Sequence, residues 1–558
     1  MNHRIIIIIL IIAILFSGIN VFAQDEKPDP AIQNESIEVV KLYQPILAKA
    51  KKINFSPDAM QIKSETPVYN DYQVPNKFLT LKFDPPSLKP LALKKTRTAV
   101  DPNDGSIYSC WLKAGFGNNL TPLVDFSCNT RKANSNIMGV NLKHLSSRLK
   151  GDYPQDFMEN EGKVFGKFFT ESSYLNVDVN FEHDRFFYYG FDKGDTLIYP
   201  NDKKDIRVIY NAIPINLEFG NKTDLLSKIH YKTNLNYHYF WSNIGMTEHY
   251  IGFDSYITKD FDSGLGVGLN LKTDYSSSTD SLLASFDQRT PFAFNAIPHL
   301  YYKKPFGLIK AGASLIVDQT EFVPFPYIYA EGHIIEKYLT VYAGLEKNYR
   351  FNNYKFISDA NPFIGPSHDL TNTINRSIYG GFKGNVGSNF SFDIGIESAE
   401  IQNQLLFNNY AFDTTQFRVI YDPEVSKFAV KSTLAYLLNS RSNISLTTTY
   451  NKYSASENEK VWHLPALNLD LGMNFALTNK LNVGSDIMYF AKIYARNSDG
   501  NVVNLKNIFD VNLSVDYQIN QNFYLFADAN NIINSKYQRF LNYPSYGFNA
   551  IGGVILRF

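Results

Sequence analysis

The sequence predicts an all-β fold, a transmembrane antiparallel β-barrel of about 22 strands that a short extended periplasmic segment precedes. Three observations predict it. Polar and apolar residues alternate in many runs, short and long connections between these runs alternate, and aromatic residues make up 15% of the 558 residues. Past residue 23, no apolar stretch is long enough for a transmembrane helix, so a membrane form would have to be a barrel.

The run FDVNLSVDY, from Phe509 to Tyr517, shows the alternation clearly. Its apolar residues stand two apart, with Asp510, Asn512, Ser514 and Asp516 between them. A period of two is typical of a β-strand with one apolar and one hydrated face. In a barrel, the apolar face would contact lipid and the polar face would line a wet lumen.

The connections between the runs support a barrel over a soluble sandwich. Short polar turns such as LTNK and DSG alternate with longer polar loops from about residue 106 to the end. Short turns at one rim and long loops at the other are typical of outer-membrane barrels. We therefore assign residues 106–558 to the barrel, and the even number of strands returns both of its ends to the periplasmic side.

Residues 1–23 are predicted to be a signal peptide. Arg4 precedes an apolar run from Ile5 to Phe16, and Ala23 ends a plausible cleavage site. The alternative is a membrane anchor, for which this run is short. No cysteine follows the cleavage site directly, which disfavours a lipoprotein.

Residues 24–105 form a proline-rich segment with little alternation and many lysines. It could thread into the lumen and pair with carboxylates there, dock a periplasmic partner, or be a solvated linker. A barrel this large needs something to fill its lumen, so either this segment or inward-folded loops must do so.

The C-terminus resembles that of TonB-dependent receptors. The penultimate run FYLFADANNIINSKYQRF leads into an Asn-rich turn, and the last run YGFNAIGGVILRF ends in an aromatic residue. The residues that carry the resemblance are Asn530, Asn531, Ile532, Asn534, Tyr537 and Phe558. Earlier segments, such as LKAGFGNNLTPLVD, resemble Bacteroidota outer-membrane proteins related to these receptors.

This resemblance implies location, partners and function. It implies the outer membrane of a Gram-negative, Bacteroidota-like bacterium, with outer-membrane lipid around the barrel and an insertion machinery that reads Val554, Leu556 and Phe558. A TonB-type energy-coupling protein would pair with a TonB-box-like strand at Ile37, Glu38, Val39 and Val40. The family's plug domain is larger than residues 24–105, which puts energised uptake in doubt.

Two further sets of residues are candidates for specific roles. Cys110 and Cys128 are expected nearly opposite each other on the outward face of the first hairpin, either as a disulfide or as free thiols. Carboxylates on the hydrated faces of the strands could line a solute path, the alternative being an ordinary polar wall. These are Asp178, Glu182, Asp470, Asp510, Asp516 and Asp528.

Other functional classes find little support in the sequence. The net charge is zero and no basic, aromatic-rich run indicates a nucleic-acid partner.

No cofactor is expected. His238 and His249 could bind a metal, but histidines at the barrel rim without a metal are the simpler interpretation. No common hydrolase motif is present. Because neighbours on a strand face opposite ways, we do not expect His144 with Ser146 or Ser147 to form a catalytic dyad, and we expect no enzyme.

The sequence therefore supports two hypotheses. The first is a barrel related to TonB-dependent receptors that binds or passes a solute. The second is a non-transporting scaffold that docks a periplasmic or surface partner. The loop at 352–375 is the best candidate for an external ligand site or an inward-folded lid. Its notable residues are Tyr354, Phe356, Pro362, Phe363 and Pro366.

Overall fold

A computed structural model describes most of the chain beyond residue 108. The described residues are 109–130, 136–149, 154–191, 203–221, 229–280, 291–318, 322–335, 338–366, 369–410, 413–439 and 441–558. The predicted signal peptide, the segment 24–105 and the TonB-box-like strand at Ile37–Val40 lie outside them, so these three stay predictions. The described residues contain no helix long and apolar enough to cross a membrane.

Within the described residues, 22 strands form one antiparallel sheet that closes on itself. Each barrel strand pairs with the next barrel strand along the chain, and the last returns to pair with the first. The predicted fold and strand number are confirmed. The barrel strands are β1 (Cys110–Gly117), β2 (Thr121–Asn129), β3 (Ile137–Ser147), β4 (Phe157–Phe169), β5 (Ser173–Phe187), β6 (Arg207–Asn221), β7 (Ile229–Ser242), β8 (Met246–Asp260), β9 (Leu265–Asp280), β10 (Phe292–Lys304), β11 (Gly307–Asp318), β12 (Phe322–Ile335), β13 (Leu339–Arg350), β14 (Thr373–Val386), β15 (Phe390–Asn409), β16 (Phe417–Asn439), β17 (Ser442–Ala455), β18 (Leu467–Ala476), β19 (Leu481–Ala491), β22 (Ile508–Gln518), β23 (Phe523–Asn530) and β26 (Asn549–Arg557).

Shorter elements lie in the connections at one rim. They are the helix α1 (Tyr354–Ala360) and two hairpins, β20 (Ile493–Arg496) with β21 (Val502–Leu505), and β24 (Gln538–Phe540) with β25 (Tyr543–Pro544). We call this the loop rim, because most of the long connections meet there. Most connections at the other rim, the turn rim, are short, and both ends of the barrel lie there. By the usual layout of such barrels, the turn rim faces the periplasm and the loop rim faces outside.

The two faces of β22 have the environments that the sequence predicts. Phe509, Leu513 and Tyr517 are exposed on the outward face, whereas Asp510 and Asn512 are buried on the inward face. Outward apolar side chains recur around the barrel, which is the pattern of a lipid-facing surface.

The last strand closes the barrel against the first, as predicted. Cys110 and Phe558 exchange two backbone hydrogen bonds of 2.8 and 2.9 Å. Val554 lies opposite Ala114, and Leu556 lies opposite Leu112. The ring of Phe558 is exposed. Recognition of Val554, Leu556 and Phe558 by an insertion machinery stays a prediction.

The two cysteines face each other across the β1–β2 hairpin. The register places Cys110 directly opposite Cys128, and the structure joins their sulfur atoms. Free thiols were the alternative in the sequence. The disulfide stays a prediction that mass analysis after alkylation without a reductant would decide.

One expectation about side-chain direction is wrong. His144 and Ser146 are two residues apart on β3, so their side chains point to the same face. The Nε2 atom of His144 lies 3.2 Å from Oγ of Ser146. The expected separation holds only for Ser147, which faces inward and hydrogen-bonds Thr121. The alternation rule separates residues i and i+3, but it brings i and i+2 together.

Candidate functional site: an aromatic lid at the loop rim

The six predicted lumen carboxylates all lie on inward-facing positions, but the structure does not bring them into one site. Asp178 and Glu182 are on β5, whereas Asp470, Asp510 and Asp516 are on β18 and β22. Asp528 is on β23, next to the closing strand. β18, β22 and β23 lie close together in the sheet, whereas β5 lies in another part of it, so the carboxylates line at least two parts of the wall.

Several of these carboxylates have cationic or phenolic partners. Nζ of Lys113 lies 2.8 Å from Oδ2 of Asp528 and 4.0 Å from the centroid of the Phe526 ring. Nζ of Lys163 lies 3.2 Å from Asp178. The hydroxyl of Tyr537 donates to Asp510 over 2.5 Å. Lysines therefore balance the charges of Asp528 and Asp178, and a hydrogen bond stabilises the carboxylate of Asp510.

The loop between β13 and β14 folds into the helix α1 because its ends supply caps. The side chain of Asn353 accepts a hydrogen bond of 2.9 Å from the backbone N–H of Phe356, as an N-cap does. At the other end, the N–H of Asn361 bonds to the carbonyl of Ile357, and its side chain accepts from the N–H of Phe363. These contacts start and stop a helix of two turns.

A buried carboxylate on the barrel wall holds the start of α1. Glu248 on β8 is fully buried and accepts hydrogen bonds from the N–H of Tyr354 at 2.7 Å and of Lys355 at 3.3 Å. A negative charge is stabilised at a helix N-terminus. His238 on β7 lies 2.8 Å from the same carboxylate, so the helix is tied to two neighbouring strands.

Lys355 ties α1 to a third strand. Its Nζ lies 2.9 Å from Glu182 on β5 and 2.7 Å from Asp359 within the helix. Burial alone would lower the pKa of Lys355, but the two carboxylates outweigh it and raise the pKa above its ordinary value. The lysine is therefore charged, and Glu182 serves as an anchor for the helix.

Aromatic side chains complete the layer that we call the aromatic lid, consisting of α1 and the cluster packed on it. Phe363 stacks on Tyr543 with 3.5 Å between ring centroids, and its ring edge packs against Tyr189 and Phe540. The hydroxyl of Tyr188 donates to the carbonyl of Ile364 over 2.6 Å. Buried hydrophobic members of the cluster are Phe186, Tyr188, Tyr189, Val208, Tyr210, Ala212, Phe240, Met246, Tyr354, Ile357, Phe363, Ile364, Leu370, Leu405, Phe407, Phe417, Phe540 and Tyr543.

The lid joins parts of the barrel that are far apart in the sheet. Its members come from β5 to β8, from the β13–β14 loop, from β15 and β16, and from the loop before β26. Side chains from such distant strands can meet only across the opening of the barrel at the loop rim. The expectation of an inward-folded lid at 352–375 agrees with this packing.

A second buried group lies beside the lid. His463 is 1% exposed; its Nδ1 donates to the carbonyl of Phe407, and its Nε2 accepts from the N–H of Leu541. The guanidinium of Arg539 donates to the carbonyl of His463. Burial and the charge of Arg539 lower the pKa of His463 to about 3, and burial lowers that of Arg539 to about 9. The imidazole is therefore neutral.

A small cavity opens among the loops near these residues. Its volume is about 170 Å3, and it is lined by Asn409, Thr414, Asn497, Ser498, Val503, Leu541 and Asn542. The lining offers amides and hydroxyls without a charged group, which suits an uncharged polar molecule.

The structure does not support a metal site at His238 and His249. His238 faces the lumen and pairs with Glu248, whereas His249 faces outward beside Tyr237. Among the residues that the structure describes, no three His, Cys, Asp or Glu side chains are grouped as metal ligands.

Glu248, Lys355 and Tyr543 hold the lid in place and are not among the residues that the sequence predicts for a site. The caps Asn353 and Asn361 around a short run were a readable helix signal. No local pattern could link Glu248 or Tyr543 to that helix, because they are about 100 and 190 residues away along the chain.

Solved structures show which known fold this is. The chain is similar to the iron transporter FrpB from Neisseria meningitidis (TM-score 0.61, 10% identity, 81% of this chain and 82% of that one). It is also similar to a ferric enterobactin receptor from Pseudomonas aeruginosa (0.59, 10%, 80% of each) and to the copper transporter OprC (0.58, 13%, 80% of each).

The barrel has the fold of the TonB-dependent receptors. At such low identity, the likeness concerns the fold. No family model matches the sequence, and no curated protein matches it. A closed barrel of this kind with an apolar outward face belongs in the outer membrane of a Gram-negative bacterium.

Proposed function

We propose that this protein passes a solute across the outer membrane through its lumen, with the aromatic lid as the gate at the external end. The observation that carries the proposal is the lid itself. It spans the inside of the barrel, yet its helix is tied to the wall through separable contacts at Glu248 and Glu182. An element held in this way can close a path and still be released.

The comparisons support solute uptake as a class of function. The three similar structures are named as transporters or a receptor for iron, copper and ferric enterobactin. The shared element is a barrel that takes in a solute. The comparisons do not identify the solute of this chain, because its own wall and loop cavity would select that solute. Apart from Glu182, which anchors Lys355, the predicted lumen carboxylates would then line the path together with their partners.

Several partners follow as further parts of the proposal. A TonB-type protein would energise uptake by pairing with the strand Ile37–Val40. Residues 24–105 would thread into the lumen from the turn rim, after removal of residues 1–23. Lipid would surround the barrel, and the insertion machinery would read its last strand. A Bacteroidota-like source fits the segments quoted above. No catalytic group is needed for this role.

The alternative is a scaffold that docks a partner and passes no solute. The closed loop rim favours this alternative, because a permanently closed barrel has no path for a solute. The two functions differ in what happens when both closures are removed. A transporter would then contain an aqueous path, whereas a scaffold filled by its own side chains would not.

Solute flux into proteoliposomes tests the proposal. Residues 354–364 would be replaced by a Gly-Ser linker of equal length, in one chain that starts at Gln24 and in another that starts at Ser106. We expect the Ser106 chain to admit small neutral sugars with a size limit, and the Gln24 chain to admit them more slowly. If neither chain admits sugars while both are folded, the transport proposal is wrong and the scaffold is favoured.

A further inference from the structure

Three side chains on the outward face of β3 and β4 form a hydrogen-bonded chain. Oγ of Ser146 lies 3.2 Å from Nε2 of His144, and Nδ1 of His144 lies 2.7 Å from Oδ1 of Asn160. The register places Asn160 directly opposite His144. All three side chains are only partly buried, so a molecule at the outer wall can reach them.

The hydrogen bond to Asn160 selects the tautomer of the imidazole. The side-chain oxygen of Asn160 can only accept, so Nδ1 of His144 carries the proton and donates it. Nε2 is then free to accept the proton of the Ser146 hydroxyl. A nucleophilic hydrolase site consists of a serine, a base that accepts the hydroxyl proton of the serine, and a third group that orients the base.

The position of this site points to its substrate. Met138 and Leu142 precede it on the outward face of β3 and are about half exposed, as is Val164 on β4. These apolar side chains belong to the lipid-facing band. Ser146 and Asn160 lie beyond them toward the loop rim, at the level where ester groups of the outer leaflet meet water.

Cationic side chains flank the serine on the same side of the sheet. Arg148 follows Ser146 by two residues, just past the end of β3, and its largely exposed side chain lies 3.9 Å from Oδ2 of Asp156. Met158 lies opposite Ser146, and Arg185 on β5 lies opposite Met158. Guanidinium groups at this level suit the phosphate of a lipid headgroup and the negative charge that develops on an attacked carbonyl oxygen.

We propose that Ser146, His144 and Asn160 form a serine hydrolase site for carboxylic esters of phosphate-bearing lipids in the outer leaflet. Oγ of Ser146 attacks the acyl carbonyl carbon while His144 takes its proton. The ester C–O bond then breaks, and His144 protonates the departing lysolipid alcohol. Water, deprotonated by His144, cleaves the acyl-serine bond and releases a fatty acid. Asn160 acts as a positioning residue. The inference is independent of solute transport, since the site lies on the opposite face of the wall.

The chain supplies matched controls for a test. Ser147 is the adjacent serine, but it faces inward and hydrogen-bonds Thr121. His249 on β8 is another histidine on the outward face, beside Tyr237 and away from β3 and β4. S147A and H249A therefore remove similar groups without touching the proposed site.

The experiment uses the full chain, purified and folded in detergent, and two readouts. One is labelling by a fluorophosphonate probe, which reacts with activated serines. The other is fatty acid release from mixed vesicles of phosphatidylethanolamine and phosphatidylglycerol. Folding of each variant is checked by its heat-dependent migration in SDS gels. We expect S146A to lose labelling and release by about 1,000-fold or more, and S147A and H249A to keep both.

The variants of Asn160 separate positioning from stability. We expect N160A to lower the labelling rate by at least about tenfold without changing folding, and N160D to restore it, since a carboxylate also orients the base. Equal labelling of the unchanged chain and S146A would overturn the proposal. Labelling of Ser146 without fatty acid release would overturn the assignment of lipid esters as substrates.

Discussion

Alanine at Phe363 together with alanine at Tyr543 is expected to release the aromatic lid. Both rings are buried, and they stack on each other across the lid. Loss of one buried aromatic side chain costs about 3–5 kcal/mol, and the two losses will be less than additive because the rings are in contact. We expect amide exchange in residues 354–364 to accelerate by about 100-fold or more.

Exchange measured by mass spectrometry on the folded barrel would show this change. The matched control is F382A, which removes an aromatic ring that is 44% exposed on the outward face of β14. Exchange in the lid should not change in that variant. If the double variant leaves the lid segment as protected as before, the packing at Phe363 does not hold the lid.

Acidification is expected to loosen the loops around His463. In the folded chain burial holds the pKa of His463 at about 3, against about 6.5 in an unfolded loop. The open form therefore takes up a proton first as the pH falls. The contribution of neutral His463 to the stability of the closed loops is fully present above pH 6.5. It falls by about 1.4 kcal/mol per pH unit toward pH 3, so the closed loops lose about 3 kcal/mol of stability at pH 4.5.

Trp462 next to this histidine provides the signal. Its indole is buried and donates to Asn458 over 3.1 Å. With Trp111 and Trp241 changed to Phe, the fluorescence of Trp462 should shift to the red between pH 6.5 and 4 as its environment opens.

Two histidine variants control for other titrating groups. H463N removes the titration and keeps a residue type that tolerates the positive φ of 61° at this position. The acid-induced shift should disappear in H463N and remain in H249N, where the histidine is exposed on the outward face. An equal shift in all three chains would place the sensitive group elsewhere.

The wall of the barrel was predictable because its physics is local. In β22, alternation alone assigned Phe509 to lipid and Asp510 to the lumen, and the structure agrees. The closing pair of β1 and β26 followed from the requirement that a barrel has no free edge.

The inside of the barrel was less predictable because its contacts are long-range. The run around Phe363 indicates a lid, but no local pattern indicates its partners Glu248 and Tyr543. The carboxylates of the wall are a second example. Alternation places Glu182 on the inward face, but it does not show that this carboxylate anchors Lys355. At Ser146, the alternation rule was applied to the wrong spacing.

Single-channel conductance tests the central claim most directly, namely that the lid closes an aqueous lumen. Two chains that start at Ser106 would be compared in planar bilayers, one with the lid intact and one with residues 354–364 replaced by a Gly-Ser linker. We expect the intact chain to be silent and the replaced chain to show a large, stable conductance. Silence of the replaced chain, with its barrel folded, would contradict the account, as would an equally large conductance with the lid intact.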